Sequence, residues 1–263
     1  MRGVGALLLD ALRLALLAGA VAYVARAFAR AWLPRAPRAD RALAAAVIGL
    51  GLVSQGVRVL GALSLLRPWI ALVALALVVA VAARLERRWP APGPSTREAP
   101  PFGPRLLAGG VVVLAVFAAV VLPIFQWDAL GYHLPFVMFA LQGHSFAAVP
   151  PDVPYLSTYP HGVEYVYIAL RMALSSDRLL DLGQLPFALA GAAAIVRIAR
   201  RAGARATPAS TAAAAWLCLP AVFLQLASNY VDIGVAAYVL LAAWACLGRL
   251  DARRVMLAGV ALG

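Results

Sequence analysis

Leu106–Phe125 reads LLAGGVVVLAVFAAVVLPIF, twenty residues without a charge, and after Gln126 the chain turns at once to WDALGYHLP, Trp127–Pro135. A helix of about twenty apolar residues matches the hydrocarbon thickness of a bilayer. The sudden change to Trp, Asp, Tyr and His marks the place where such a helix leaves the apolar layer. Similar runs stand near 4–25, 42–63, 68–84, 182–199, 208–227 and 231–248. The expected fold is therefore all-α, a polytopic transmembrane helical bundle. Composition agrees: 64% of the residues are hydrophobic and the mean hydropathy is +0.87, more apolar surface than a soluble chain of 263 residues can bury. The first run lacks the short basic start and small-residue cleavage site of a signal peptide. A last run begins at Val255 and stops at Gly263, too short to cross, so the natural chain is expected to continue.

Charge gives the orientation. All 23 basic residues are arginine and the net charge is +12. Arg26, Arg30, Arg35, Arg38 and Arg41 follow the first run, and Arg84, Arg87, Arg88, Arg97 and Arg105 follow the third. Arg197, Arg200, Arg201 and Arg205 follow 182–199, while Arg249, Arg253 and Arg254 follow the last span. Placing all four groups on the cytoplasmic side satisfies the positive-inside rule and puts the N-terminus and 126–181 outside. Arginines spread over short loops meet lipid headgroups, which excludes a nucleic-acid partner and makes membrane lipid the expected one. Residues 1–84 form the N-terminal spans and 85–104, rich in Pro and Arg, an irregular cytoplasmic linker. Residues 105–263 form a membrane core with the outer segment 126–181. Cys218 and Cys246 lie inside apolar runs and are read as packing residues, with no disulfide or zinc spacing.

The outer segment gathers all three histidines. Leu130, Leu134, Val137, Met138 and Leu141 recur at helical spacing, with Asp128, Tyr132 and Pro135 on another face. Val163–Leu174 is apolar but too short to span. Both are expected as interfacial helices, with Trp127, Tyr155, Tyr159, Tyr165 and Tyr167 at headgroup depth.

Asp128, at the end of a span, reads either as a helix cap or as a general base at the edge of a low-dielectric layer. His133 and His161 suit phosphate or a divalent cation, although interfacial hydrogen bonding is the simpler reading; His144 reads as a solvated loop residue. Glu164 opens a helix, where an acid serves the dipole or touches substrate, and Asp232 poses the same choice. Arg171 and Arg178 are candidates for a phosphate, against pairing with Asp177 or Asp181. Asp10 and Arg13 read as an i, i+3 pair, and Arg58 as a side chain that snorkels outward.

The order Asp128-x-x-x-Tyr132-His133-x-Pro135, then Tyr159-Pro160-x-x-x-Glu164, resembles the first outer loop of GT-C glycosyltransferases. That superfamily includes the protein O-mannosyltransferases and the aminoarabinose transferases of lipid A. Tyr230-Val231-Asp232 resembles its second outer loop. The likeness covers roughly 105–263 and implies sugar transfer from a polyprenyl-phosphate donor, with Asp128 as the catalytic residue. By the same likeness Tyr132, His133, Tyr159, His161, Glu164, Arg171 and Asp232 would contact substrate. The acceptor is left open, as is a divalent cation. Where relatives carry two adjacent acids this chain has Asp128-Ala129, and no lysine is present to meet a phosphate. The rival readings are a transporter of lipid-linked sugars and a catalytically inactive scaffold.

Overall fold

The computed structural model describes residues 2–89, 102–248 and 251–262. Among them the chain is helical and contains no strand. In chain order, α1 spans Arg2–Trp32, α2 Arg38–Ala62, α3 Pro68–Arg88 and α4 Phe102–Val121. A π turn, Ala129–His133, runs into α5, Leu134–Gln142, followed by α6, Pro154–Ser157, and α7, Glu164–Ala173. A 3-10 turn, Leu180–Gln184, leads into α8, Leu185–Arg201. After it come α9, Ala206–Cys218, α10, Pro220–Phe223, α11, Asp232–Cys246, and α12, Ala252–Leu262.

Five segments are long and apolar enough to cross a membrane: most of α1, then α2, α3, α4 and Leu180–Arg201. The molecule is thus a polytopic membrane protein. Leu8, Leu12, Leu16, Leu72 and Leu77 on α1 and α3 face outward, the natural arrangement where the solvent is lipid. Helices α2 and α8 lie at the centre, α2 against α1, α7, α8 and α12, and α8 against α9 and α11.

The expected span 208–227 is not one helix. Pro220 has no N–H to continue the ladder and pushes Leu219 out of the helical region, to ψ 132°. The chain turns there, and α9 stops at Cys218. Cys218 and Cys246 are exposed and unpaired, so neither packs the core. Of the expected 85–104 linker, α3 claims the start and α4 the end, and 90–101 lie outside the described residues.

Two ends of the bundle are tied by different chemistry. At one, Asp40 in the first turn of α2 is 3% exposed and sits among arginines. It lies 2.9 Å from Arg197, 3.2 Å from Arg201 and 3.5 Å from Arg254, and accepts a hydrogen bond from Trp244 Nε1. Arg30 pairs with Glu86, and Arg253 donates to the Trp32 carbonyl. This arginine-rich end joins α1, α2, α3, α8, α11 and α12.

At the opposite end, Asp10 does pair with Arg13 at 3.5 Å, yet its stronger partners are Ser175 and Ser176. Both serines donate backbone N–H and hydroxyl to the Asp10 carboxylate at 2.7–3.0 Å. That contact fastens α1 to the turn after α7. His144, expected in solvent, instead docks the 143–145 turn: its Nδ1 lies 3.1 Å from the Leu66 carbonyl, which accepts.

Asp40→Ala would leave three guanidiniums facing one another without a counter-charge. The expected cost is about 3–5 kcal/mol, read as a lowered melting temperature in detergent. Asp40→Asn, which keeps acceptors for Trp244 and Arg197, is expected to lose less, and an unchanged melting temperature in Asp40→Ala would refute the linkage.

Candidate functional site

The site is built where the 126–164 segment meets the turn before α11. Within the π turn the Leu134 N–H reaches back five residues to the Ala129 carbonyl. A widened turn of this kind is typical of functional positions in helices. The buried face here is Ala129, His133, Phe136, Val137 and Ala140, one residue earlier than the expected Leu130 register, and Leu130 is 53% exposed. The reason is polar. His133 is drawn inward by a buried carboxylate, and its apolar helix neighbours follow it.

That carboxylate is Glu164, 2% exposed at the start of α7. Its Oε1 lies 2.8 Å from His133 Nδ1 and 3.5 Å from His161 Nδ1. A carboxylate only accepts, so Nδ1 of His133 donates. His161 Nε2 stands 3.0 Å from the Leu156 carbonyl and must also donate, while the His161 ring stacks on Phe136 at 3.7 Å. Neutral His161 therefore turns a lone pair towards Glu164, and protonated His161 an N–H. Burial alone pushes the Glu164 carboxyl up; the hydrogen bond from His133, with the His161 ring 3.5 Å away, outweighs it and holds the group below the ordinary glutamate range.

Beside this core lies a more open cluster. The Tyr132 phenol is pushed up to about 12, first by burial, then by the charge of Asp128 and the hydrogen bond it donates to Asp128, with smaller contributions from Tyr159 and Asp232. Tyr132 thus stays a hydrogen-bond donor at all physiological pH values. Its ring meets Tyr159 edge-on at 6.1 Å, Tyr155 at 6.0 Å and His133 at 4.3 Å. The charge of Asp128 and, more weakly, that of Asp232, about a hundred residues on in sequence, both disfavour ionisation of the Tyr132 phenol.

Two residues hold the second loop in place, one misplaced by sequence reasoning and the other, Gln184, passed over by it. Tyr167, expected at headgroup depth, is fully buried, and its hydroxyl donates to the Tyr230 carbonyl at 2.6 Å. Gln184 donates to the same carbonyl and accepts from the Gly234 N–H at 3.1 Å. A polar amide inside an apolar run was the available signal. Gly234 is needed for contact, because a side chain there would run into Val163, the residue before Glu164.

Arg171 does not join the cluster. Its Nε is 2.9 Å from Asp177, and its Nη1 donates to the Leu174 carbonyl. Arg58, by contrast, lines a cavity of about 510 Å³ together with Ser54, Tyr159, His161, Tyr165 and Tyr238. Among the described residues no three His, Cys, Asp or Glu side chains converge as a cation site. Ala129 follows Asp128, and the Nδ1 atoms of both nearby histidines face Glu164. The donor set does not fit a metal. Comparison of the chain with protein-family models, with curated proteins and with solved structures gives no match in any of the three.

The Glu164 contacts fix a sign for pH dependence. A carboxyl that ionises more readily folded than unfolded stabilises the protein above the ordinary glutamate range, and that stability is lost as pH falls through the lower, folded value. Wild type is expected to lose melting temperature in that acid window. Glu164→Gln should be less stable at neutral pH by about 1.5–3 kcal/mol and show a flatter acid limb; parallel pH profiles for the two proteins would contradict the assignment.

Proposed function

We propose that this chain forms the core of a membrane glycosyltransferase that moves a sugar from a polyprenyl-phosphate donor to an acceptor hydroxyl. The observation that carries the reading is the packing of two separate loops at one end of the bundle, where the His133 ring lies 6.5 Å from Tyr230, two residues before Asp232, and Tyr132, four residues after Asp128, lies 6.1 Å from Tyr159. Carboxylates brought together at one end of an apolar bundle suit proton abstraction beside a lipid-linked substrate. The GT-C resemblance of the two loops points to the same chemistry. On this reading the arginine-rich end faces the cytoplasm and the site faces the outer side of a bacterial plasma membrane, where cell-envelope sugars are assembled.

In the proposed step the Asp128 carboxylate takes the proton of the acceptor hydroxyl. The acceptor oxygen forms a bond to the anomeric carbon as the bond from that carbon to the phosphate oxygen breaks. Polyprenyl phosphate departs with the electron pair, and the configuration at carbon inverts. The developing sugar cation has oxocarbenium character, as in glycoside hydrolysis. Tyr132, protonated throughout, holds one lone pair of Asp128 and leaves the remaining ones for the acceptor. Asp232 lies on the same side and suits orientation of the sugar. His133 and Glu164 fix the turn that carries Asp128 and Tyr132.

A carrier of lipid-linked sugars would be expected to place loose ionisable groups at mid-membrane. Here the span-borne Asp10 and Asp40 are both tied into local networks, and Arg58, unpaired among the described residues, stands one turn from the end of α2 rather than at its middle, which supports the interfacial enzyme instead. Full-length protein in membranes, supplied with radiolabelled polyprenyl-phosphate sugars, should yield a labelled product. Asp128→Asn should fold normally and lower transfer by roughly 10²–10⁴-fold; near-wild-type turnover in that variant would remove Asp128 from the chemistry.

A further inference from the structure

The 510 Å³ cavity beside the site is bounded by α2, the 159–165 loop, α11 and the end of α12. Its lower walls are apolar, formed by Val235 and Val239 of α11 and by Val260 and Leu262 of α12. Three of its polar side chains are engaged with one another or with backbone. Ser54 Oγ donates to the Gly162 carbonyl at 3.1 Å and stands 3.3 Å from the Tyr238 hydroxyl, and His161 donates to Leu156.

Arg58 is different. It lies in a segment apolar enough to span a membrane, one turn before the end of α2, and its side chain is exposed at the cavity. No carboxylate pairs with it among the described residues, whereas Arg13 and Arg171 each have one. Tyr165 is the group on which its charge acts. The carbonyl end of α2 accommodates a cation there but does not neutralise it. An unpaired guanidinium at the margin of an apolar layer is costly and marks a place where an anion is expected. Its planar fork matches two oxygens of a phosphate.

The position relative to the catalytic cluster adds the second half of the argument. Tyr159 lines the cavity and also meets Tyr132, the partner of Asp128. A phosphate on Arg58 would therefore share a wall with the proposed base, while the chain attached to it would run along apolar α11 and α12. We infer that Arg58 of α2 anchors the phosphate of an apolar-tailed phosphate amphiphile whose tail occupies this cavity. The inference rests on the transfer reading for what the amphiphile does, and it assigns the leaving phosphate to a helix outside the 105–263 core. Arg171, the arginine marked from sequence, is left to its partner Asp177.

Binding can be separated from transfer. Purified full chain in nanodiscs is titrated with polyprenyl monophosphate carrying no sugar, followed by tryptophan fluorescence or native mass spectrometry. Wild type, Arg58→Ala, Arg58→Lys, Arg171→Ala and Asp128→Asn are compared after a melting check. Arg58→Ala is expected to weaken binding at least roughly tenfold, Arg58→Lys to recover part of it, and Arg171→Ala and Asp128→Asn to bind as wild type. Uncharged polyprenol should bind weakly, and inorganic phosphate should compete only at far higher concentration than the lipid. Equal affinity of Arg58→Ala and wild type would overturn the anchor, and so would polyprenol binding as well as its phosphate. Inorganic phosphate binding as tightly as the lipid would overturn the tail assignment. Arg58-dependent binding with no transfer from any donor would retain the anchor and discard the transferase; transfer with an unchanged KM in Arg58→Ala would do the reverse.

Discussion

The hydrogen bond from His133 to Glu164, 2.8 Å long and nearly closed to solvent, is the contact through which the site end of the bundle acquires its shape. An ionised carboxylate in such surroundings is tolerable only when donors reach it. Here the donor comes from the π turn and its neighbour from the 159–164 loop. Satisfying one acid therefore fixes both segments at once. Asp128 and Tyr132 ride on the first and Tyr159 on the second, so their mutual placement is a by-product of that burial. The arrangement is incomplete in one respect: Glu164 Oε2 and His161 Nδ1 have no hydrogen-bond partner.

The second loop is held by a different device. Its backbone carbonyls at Ser228 and Tyr230 accept from Tyr167, and Tyr230 also accepts from Gln184. Turn carbonyls near an apolar layer lack enough water to satisfy them, so side chains from the core must do so. The consequence is rigidity at the point where α11 begins, and hence a fixed direction for Asp232. Val163 fitting over Gly234 then couples this loop to the one bearing Glu164. Three small contacts thus convert two loops far apart in sequence into one surface.

The sequence made the long spans and the polar segment legible because both depend on composition over many residues. Span ends moved by up to seven residues: α1 runs on to Trp32, and α4 starts at Phe102 and stops at Val121, before Pro123. What it hid were single contacts that override a pattern. Helical spacing placed Leu130 inward, whereas His133 took that face because a buried acid lies there. Apolar character joined 208–227 into one span, whereas Pro220 alone was enough to divide it. Arg171 and Arg58 show the same limit most sharply. Both are arginines near the site end, and only the third dimension separates the one already paired with Asp177 from the one that meets a cavity.

The two ends of the molecule differ in how they use charge. At the arginine-rich end one carboxylate, Asp40, organises three guanidiniums and an indole. Excess positive charge there is shared with lipid headgroups, so the network tolerates imbalance and serves chiefly to lock α2, α8 and α12 together. At the site end acids outnumber unpaired bases. The charges of Asp128 and Asp232 both push up the Tyr132 phenol, and Arg58 of α2 lines the cavity that Tyr159 also borders. On the proposed transfer reading, this layout is matched by a ligand that carries both hydroxyls and an anion. A molecule presenting hydroxyls to the acids and an anion to Arg58 would complete it, whereas one lacking either part would leave a desolvated charge behind, which makes recognition depend on both halves of the ligand together.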